Sequence, residues 1–158
     1  MTITRFQRLF GVGLMGLLVS LLVFGVLWML DRKLAHPQIL FHPESARILG
    51  LALIGIWICW HAWCIRAISG WWRDGRLCTT GPFRFVRHPI YAGGIWFVFP
   101  GISLFFNSWI ILLWPILMYP VYSLLVRQEE AMMSSVFGEG YKRYAARTGR
   151  LFPRFSRH

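Results

Sequence analysis

The chain has 158 residues, of which 56% are hydrophobic, 17% aromatic and only 15% charged. An ordinary soluble domain carries roughly 25% charged residues, so this composition argues against a water-surrounded globule and points to lipid as the solvent. A helix needs about 20 apolar residues to cross hydrocarbon, so the chain holds a handful of spans as a single membrane domain, with no large extramembrane domain beside them.

The first apolar run extends from Leu9 to Leu30, broken only by glycines and Ser20, with Arg5 and Arg8 before it. It exceeds the roughly 7–15 residue core of a signal peptide, and no small-x-small cleavage pattern follows, so a retained first span is expected. A polar connection, Asp31 to Ser45, contains His36-Pro37 and His42-Pro43, whose prolines disfavour helix in the residues before them. The second run, Ala46 to Ile65, carries Trp57, Trp60 and Trp63 near its end, where an aromatic belt is expected. His61, among these tryptophans, reads as an interfacial or bundle-packing histidine. The least hydrophobic inner stretch, Ala67 to Pro89, follows.

Ile90 to Val126 contains no charge over 37 residues, too long for one span at about 1.5 Å per residue. Asn107-Ser108 is its most polar dipeptide, which predicts two helices, Ile90–Phe105 and Trp109–Val126, with Pro100, Pro115 and Pro120 as kinks. Beyond Glu129-Glu130 the helical pattern continues to Val136, Phe137-Gly138-Glu139-Gly140 breaks it, and a basic aromatic segment, Tyr141 to Arg147, ends at Gly149 and Pro153. The expected fold is all-α: a polytopic membrane protein with four transmembrane helices, a helical hairpin for spans 3 and 4, and a short cytoplasmic C-terminal helix. Residues 1–66 form the two N-terminal spans and residues 67–158 the half that carries the chemistry.

Four spans put both termini on one side. That side collects 14 Lys/Arg against three, Arg32, Lys33 and Arg47, on the other, so the positive-inside rule makes both termini and the 67–89 segment cytoplasmic, in the plasma membrane if the source is bacterial. The net charge of +11 does not signal nucleic acid, because the basic residues flank apolar runs and serve as topology signals and headgroup contacts. Cys59, Cys64 and Cys78 lack zinc-ligand spacing and read as packing thiols, so no metal is expected.

Special residues are densest from Gly81 to Gly93, which reads Gly-Pro-Phe-Arg-Phe-Val-Arg-His-Pro-Ile-Tyr-Ala-Gly. Gly81-Pro82 makes a turn, and Arg87 and His88 are donors for a carboxylate. Pro89 can open a helix where its missing N–H costs nothing, and Phe83, Phe85 and Tyr91 offer aromatic faces to a base or a sulfonium cation. Glu129-Glu130, with Arg127 nearby, end the fourth span about 100° apart on the helix. One can pair with local arginines while the other faces a cationic ligand; the sequence leaves open which.

The ordered set Arg87-His88-Pro89-x-Tyr91-x-Gly93, a charge-free hairpin, Glu129-Glu130, Phe137-Gly138-x-x-Tyr141-x-x-Tyr144 and Pro153 resembles the isoprenylcysteine carboxyl methyltransferase family and the related phospholipid methyltransferases, over about residues 70 to 155. The resemblance implies a membrane methyltransferase without a Rossmann fold, using S-adenosylmethionine from the cytoplasmic side. It implies a cofactor pocket of Leu77, Cys78, Gly81, Phe83, Arg87, His88, Pro89, Ile90 and Tyr91, closed by Glu129 or Glu130. The acceptor is then a membrane lipid or a lipophilic, prenylcysteine-like molecule with a carboxylate or an amine. Arg127 would place a carboxylate, and Glu129 or Glu130 would take the proton of an amine. Leu125 stands four residues before Glu129, where the eukaryotic esterifying members have arginine, a departure that weakens a direct transfer of the prenylcysteine carboxylate site. Two other classes fit the sequence: a non-enzymatic membrane subunit that binds anionic lipid or a partner through its basic face, and an NADPH-dependent membrane reductase.

Overall fold

The computed structural model describes residues 5–154, and side chains for residues 13–69 and 75–154. It contains α1 (Arg5–Lys33), α2 (Pro43–Asp74), a 3-10 turn (Gly81–Arg84), α3 (Pro89–Gly93) leading through a π-turn (Gly94–Val98) into α4 (Phe99–Phe105), and α5 (Leu113–Arg147). Among the described residues there is no strand, only two isolated bridges, Gln38 with Ser108 and Val86 with Gly149. The all-helical expectation is met. Of the charges behind the orientation expected from the sequence, Arg157 lies outside the described residues, as do the side chains of Arg5, Arg8 and Arg73.

Two segments, Gly13–Lys33 and Pro43–Ser69, are long and apolar enough to cross a membrane. Few of their residues are buried within the protein: Leu17, Leu18, Leu22, Ile48, Ile56 and Ile58 all point outward. A core helix of a soluble protein would hide these side chains, whereas lipid is their natural solvent. The third apolar segment, Pro89–Phe105, has 17 residues and is not one regular helix. Pro100 lacks an N–H and its ring crowds the carbonyl four residues back. The π-turn before it, closed by the Phe99 N–H on the Gly94 carbonyl, lengthens the local register where that conflict arises.

The hairpin reverses where the sequence predicts. Asn107 takes a left-handed backbone (φ 52°), which asparagine tolerates better than most residues. Its side chain accepts from the Ile39 and Leu40 N–H groups at 3.2 and 2.9 Å and donates to the Leu40 carbonyl at 2.9 Å. The turn is thereby tied to the α1–α2 linker at one end of the molecule, here called the distal pole. Asp31, expected in the linker, lies instead in the last turn of α1. It is buried, with one oxygen taken by the Ser108 hydroxyl and the other 2.6 Å from His36 Nδ1.

Helix α1 packs on α5, and α2 on the α3–α4 segment. At the second crossing Gly50 and Gly101 are so close that a Cβ on Gly50 would lie 2.5 Å from the Gly101 carbonyl oxygen. The core joins Leu27, Ile95, Phe99, Ile111, Trp114, Met118 and Tyr122 to Leu151 from beyond α5. Helix α5 (Leu113–Arg147) is two helical stretches joined across a kink: its dihedrals leave the helical region at Gly138 (φ 52°, ψ −129°), inside the break expected at Phe137-Gly138-Glu139-Gly140, and not at Pro120. A Cβ at Gly138 would meet nothing within 4 Å, so glycine is needed there for its backbone and not for space.

Candidate active site

The pole opposite the hairpin turn gathers the 75–88 loop, the start of α3, the second half of α5 and residues 148–151. On α5 the buried residues Trp114, Met118, Tyr122 and Val126 recur every four positions. This stripe runs directly onto Glu129 and Glu130, which therefore project toward the bundle interior and not away from it.

The two carboxylates have different surroundings. Glu130, 13% exposed, is gripped from two sides. Arg87 reaches its Oε1 with Nε at 2.9 Å and Nη2 at 2.8 Å, and Arg150 reaches its Oε2 with Nε at 3.0 Å and Nη2 at 2.6 Å. His88 Nε2 lies 3.4 Å from Oε1. Burial alone would push this carboxyl up, but the bonds from His88, Arg150 and Arg87 hold it far below the usual carboxylate range. Glu129 is 26% exposed. It accepts the Tyr91 hydroxyl at 2.6 Å on one oxygen and has His88 Nδ1 at 3.3 Å from the other.

His88 thus bridges both acids with its two ring nitrogens. Its burial disfavours the imidazolium, yet the bonds and charges of Glu129 and Glu130 raise its pKa above the ordinary value. Trp60 donates its indole N–H to the Pro89 carbonyl at 2.8 Å, and the Tyr91 and Tyr122 rings lie 5.2 Å apart, which fixes the start of α3.

Beyond Gly138 the chain turns back over the loop. The Tyr144 hydroxyl donates to the Phe83 carbonyl at 2.6 Å. The Arg87 Nη1 donates to the carbonyls of Ala145, at 2.9 Å, and Thr148. Residues 148–151 then run beside 86–88 as a parallel strap, with the Arg87 N–H on the Gly149 carbonyl at 2.8 Å and the His88 N–H on the Arg150 carbonyl at 3.1 Å. Leu151, 2% exposed, anchors the strap in the core. Burial pushes the Tyr141 phenol up to about 12, with the Glu130 charge adding to it, so it is a neutral group beside the cluster.

Of the residues singled out from the sequence, Arg87, His88, Tyr91, Glu129 and Glu130 converge in one network. Gly81 and Phe83 form the 3-10 turn, tied to that network through Tyr144. Pro89 is buried at the start of α3, and Ile90 and Leu77 are half-buried. Cys78 is buried with its Sγ 3.7 Å from the Ala67 carbonyl, and burial raises its thiol, as suits a packing group. Arg127 is exposed and makes no bond to the network. Sequence reasoning missed Arg150, one of seven cations in a basic tail. The available signal was the adjacent Gly149 and Leu151-Phe152, a glycine and an apolar pair inside a basic tail.

A family model described as phospholipid methyltransferase matches residues 45–140, and the chain belongs to that family, one of membrane methyltransferases. The matched segment contains His88, Tyr91, Glu129 and Glu130 and stops short of the strap. The chain is also similar to the nickel-cobalt-cadmium resistance protein NccN of Alcaligenes xylosoxydans xylosoxydans, with 33% identity over 120 residues, covering 71% of this chain and 53% of that protein. The chain therefore spans about half the length of that curated relative. No solved structure matches.

Proposed function

We propose that the chain is a four-span membrane enzyme that transfers the methyl group of S-adenosylmethionine to a lipophilic acceptor held in the membrane. Pro89–Phe105 and the first half of α5 supply the third and fourth spans, and the outward side chains of Ile116, Leu117 and Leu124 suit lipid. The 14-to-3 distribution of Lys and Arg supports a cytoplasmic Glu129-Glu130 pole.

The observation that carries this reading is the convergence of Arg87, His88 and Tyr91 on an acidic pair 38 to 43 residues later, inside the segment that matches the family. The residues present fit the cofactor. Glu129 is a carboxylate with spare acceptor capacity for the ammonium of the methionine part, and Tyr91, bonded to it, with the Tyr122 ring packed 5.2 Å from that of Tyr91, supplies aromatic surface beside it. S-adenosylmethionine brings a methyl group already activated on a sulfonium. The chain's task is to hold donor and acceptor at near-attack distance and exclude water.

Glu130 holds Arg87 and Arg150 in place and, kept anionic by them, is too weak a base to take a proton from an amine. Glu129 is the base for an amine acceptor; a carboxylate acceptor needs none. Arg127, exposed at the membrane surface, is positioned to meet an acidic acceptor before it enters.

The test is transfer of labelled methyl from S-adenosylmethionine into total membrane lipid, followed by mild base. Volatile label identifies an ester and retained label an amine or a thioether. Titration with S-adenosylmethionine and with NADPH separates the methyltransferase from the reductase and from the non-enzymatic subunit. Binding of neither S-adenosylmethionine nor its demethylated product would overturn the reading.

A further inference from the structure

The distal pole, at the far end of the bundle from Glu129 and Glu130, carries a cleft of about 460 Å³ between the end of α1, the start of α2 and the end of α4. Arg32 and Arg47 form its cationic side, Trp28, Phe105 and Phe106 its aromatic walls, and Asp31 and His36 complete the lining. We propose that this cleft binds the phosphodiester headgroup of an anionic membrane phospholipid.

Position is the first reason. The apolar segment of α1 ends here and that of α2 begins here, so the two arginines stand at the level where hydrocarbon gives way to headgroups. Met29, three residues before Arg32, and Leu51, four residues after Arg47, are exposed on neighbouring helix positions. Acyl chains can follow that surface while the phosphate occupies the cleft.

Charge is the second. At the opposite pole Arg87 and Arg150 are spent on Glu130. Among the described residues neither Arg32 nor Arg47 has a carboxylate partner. Arg32 lies over the Trp28 ring, 5.2 Å from its centroid. Asp31, the acid in the lining, has one oxygen on Ser108 and the other on His36 and is bonded to neither arginine, so the lining sets two guanidinium groups against one carboxylate. Two guanidinium forks beside one cleft match the oxygens of a phosphodiester.

Preorganisation is the third. Trp28 and Phe106 pack edge to face at 4.8 Å, and Asn107 pins the adjoining linker by three hydrogen bonds. The walls are therefore built before any ligand arrives.

The experiment follows the thermal midpoint of the full chain in a neutral detergent on adding phosphatidylglycerol, a phosphate-free glycolipid of similar chains, or inorganic phosphate. Phosphatidylglycerol is expected to raise the midpoint by about 4 °C or more, with little change from the other two. The double variant R32Q/R47Q should lose this rise, while K33Q, a neighbouring cation outside the cleft lining, should keep it. Each variant is compared with itself without lipid, so a lower starting stability does not obscure the result. Native mass spectrometry should show one retained phosphatidylglycerol in the parent and none in R32Q/R47Q. An equal rise with the glycolipid or with inorganic phosphate, or a full rise in R32Q/R47Q, would overturn the proposal. S-adenosylmethionine binding reports on the other pole, so the two readings fail separately.

Discussion

Arg150 closes a clamp on Glu130 from twenty residues further along the chain, with two nitrogens at 2.6 and 3.0 Å from one carboxylate oxygen while Arg87 holds the other. The strap that carries Arg150 is fixed independently by its backbone bonds to Arg87 and His88 and by Leu151 in the core. Substituting Arg150→Gln should therefore leave the strap in place and loosen only the carboxylate. Arg150 is partly exposed, so the loss of stability should be about 1 kcal/mol, read as a lower thermal midpoint in detergent. Binding of S-adenosylmethionine should weaken several-fold, and Arg150→Lys should recover only part of it, because an ammonium cannot reproduce the fork.

The two neighbouring glutamates should separate stability from binding. Glu130→Gln leaves two guanidinium groups facing an amide in a largely buried setting and should cost about 3 kcal/mol, seen as a large drop in the thermal midpoint. Glu129→Gln keeps an acceptor for Tyr91 and should change the midpoint little, yet abolish detectable binding in a calorimetric titration with S-adenosylmethionine. The opposite pattern, with binding lost only in the Glu130 variant, would reassign the cofactor carboxylate.

The same cluster sets a pH window. Folded His88 holds its proton more tightly than unfolded histidine, because Glu129 and Glu130 outweigh its burial. Its contribution is complete below the ordinary histidine value of roughly 6.5 and disappears as pH rises through the raised one. Folded Glu130 is depressed, so its contribution is complete above roughly 4.3 and disappears as pH falls through the folded value. Thermal midpoints should be highest between these limits and fall on the alkaline side. His88→Gln should flatten the alkaline limb, and Glu130→Gln the acid one.

Much of this pole was legible in the sequence because its parts are local signals. His88-Pro89 marks a helix start and Gly138 a break, whereas the stripe from Trp114 to Val126 that aims α5 inward shows only in the burial, because residues 113–126 are apolar on nearly every face. The division of labour between Glu129 and Glu130 was not legible, since it depends on which cation approaches from which side. Arg150 comes from a tail with no periodic pattern, and only its backbone pairing with 86–88 brings it to Glu130. At the other pole, Asp31 looked like a linker residue because charge at the end of an apolar run ordinarily marks a span's limit. Its partner Ser108 lies 77 residues away, a distance at which no local rule applies.

Gly50 gives the sharpest test of the helix arrangement. Its α-carbon faces α4 where the Gly101 carbonyl oxygen and the Phe105 backbone nitrogen lie 2.5 and 2.6 Å from the site of an added Cβ. Both obstacles are main chain, so no side chain can swing away, and a methyl group must push α2 and α4 apart. That separation loosens close van der Waals packing, on which helix association in lipid depends, and Gly50→Ala should cost about 2 kcal/mol as an overpacked contact. Gly55, on the same helix with nothing within 4 Å of its Cβ position, is the control: Gly55→Ala should be neutral or slightly stabilising through helix propensity. Thermal midpoints of the two variants in one detergent decide the matter, and equal midpoints would mean that α2 and α4 do not cross at Gly50.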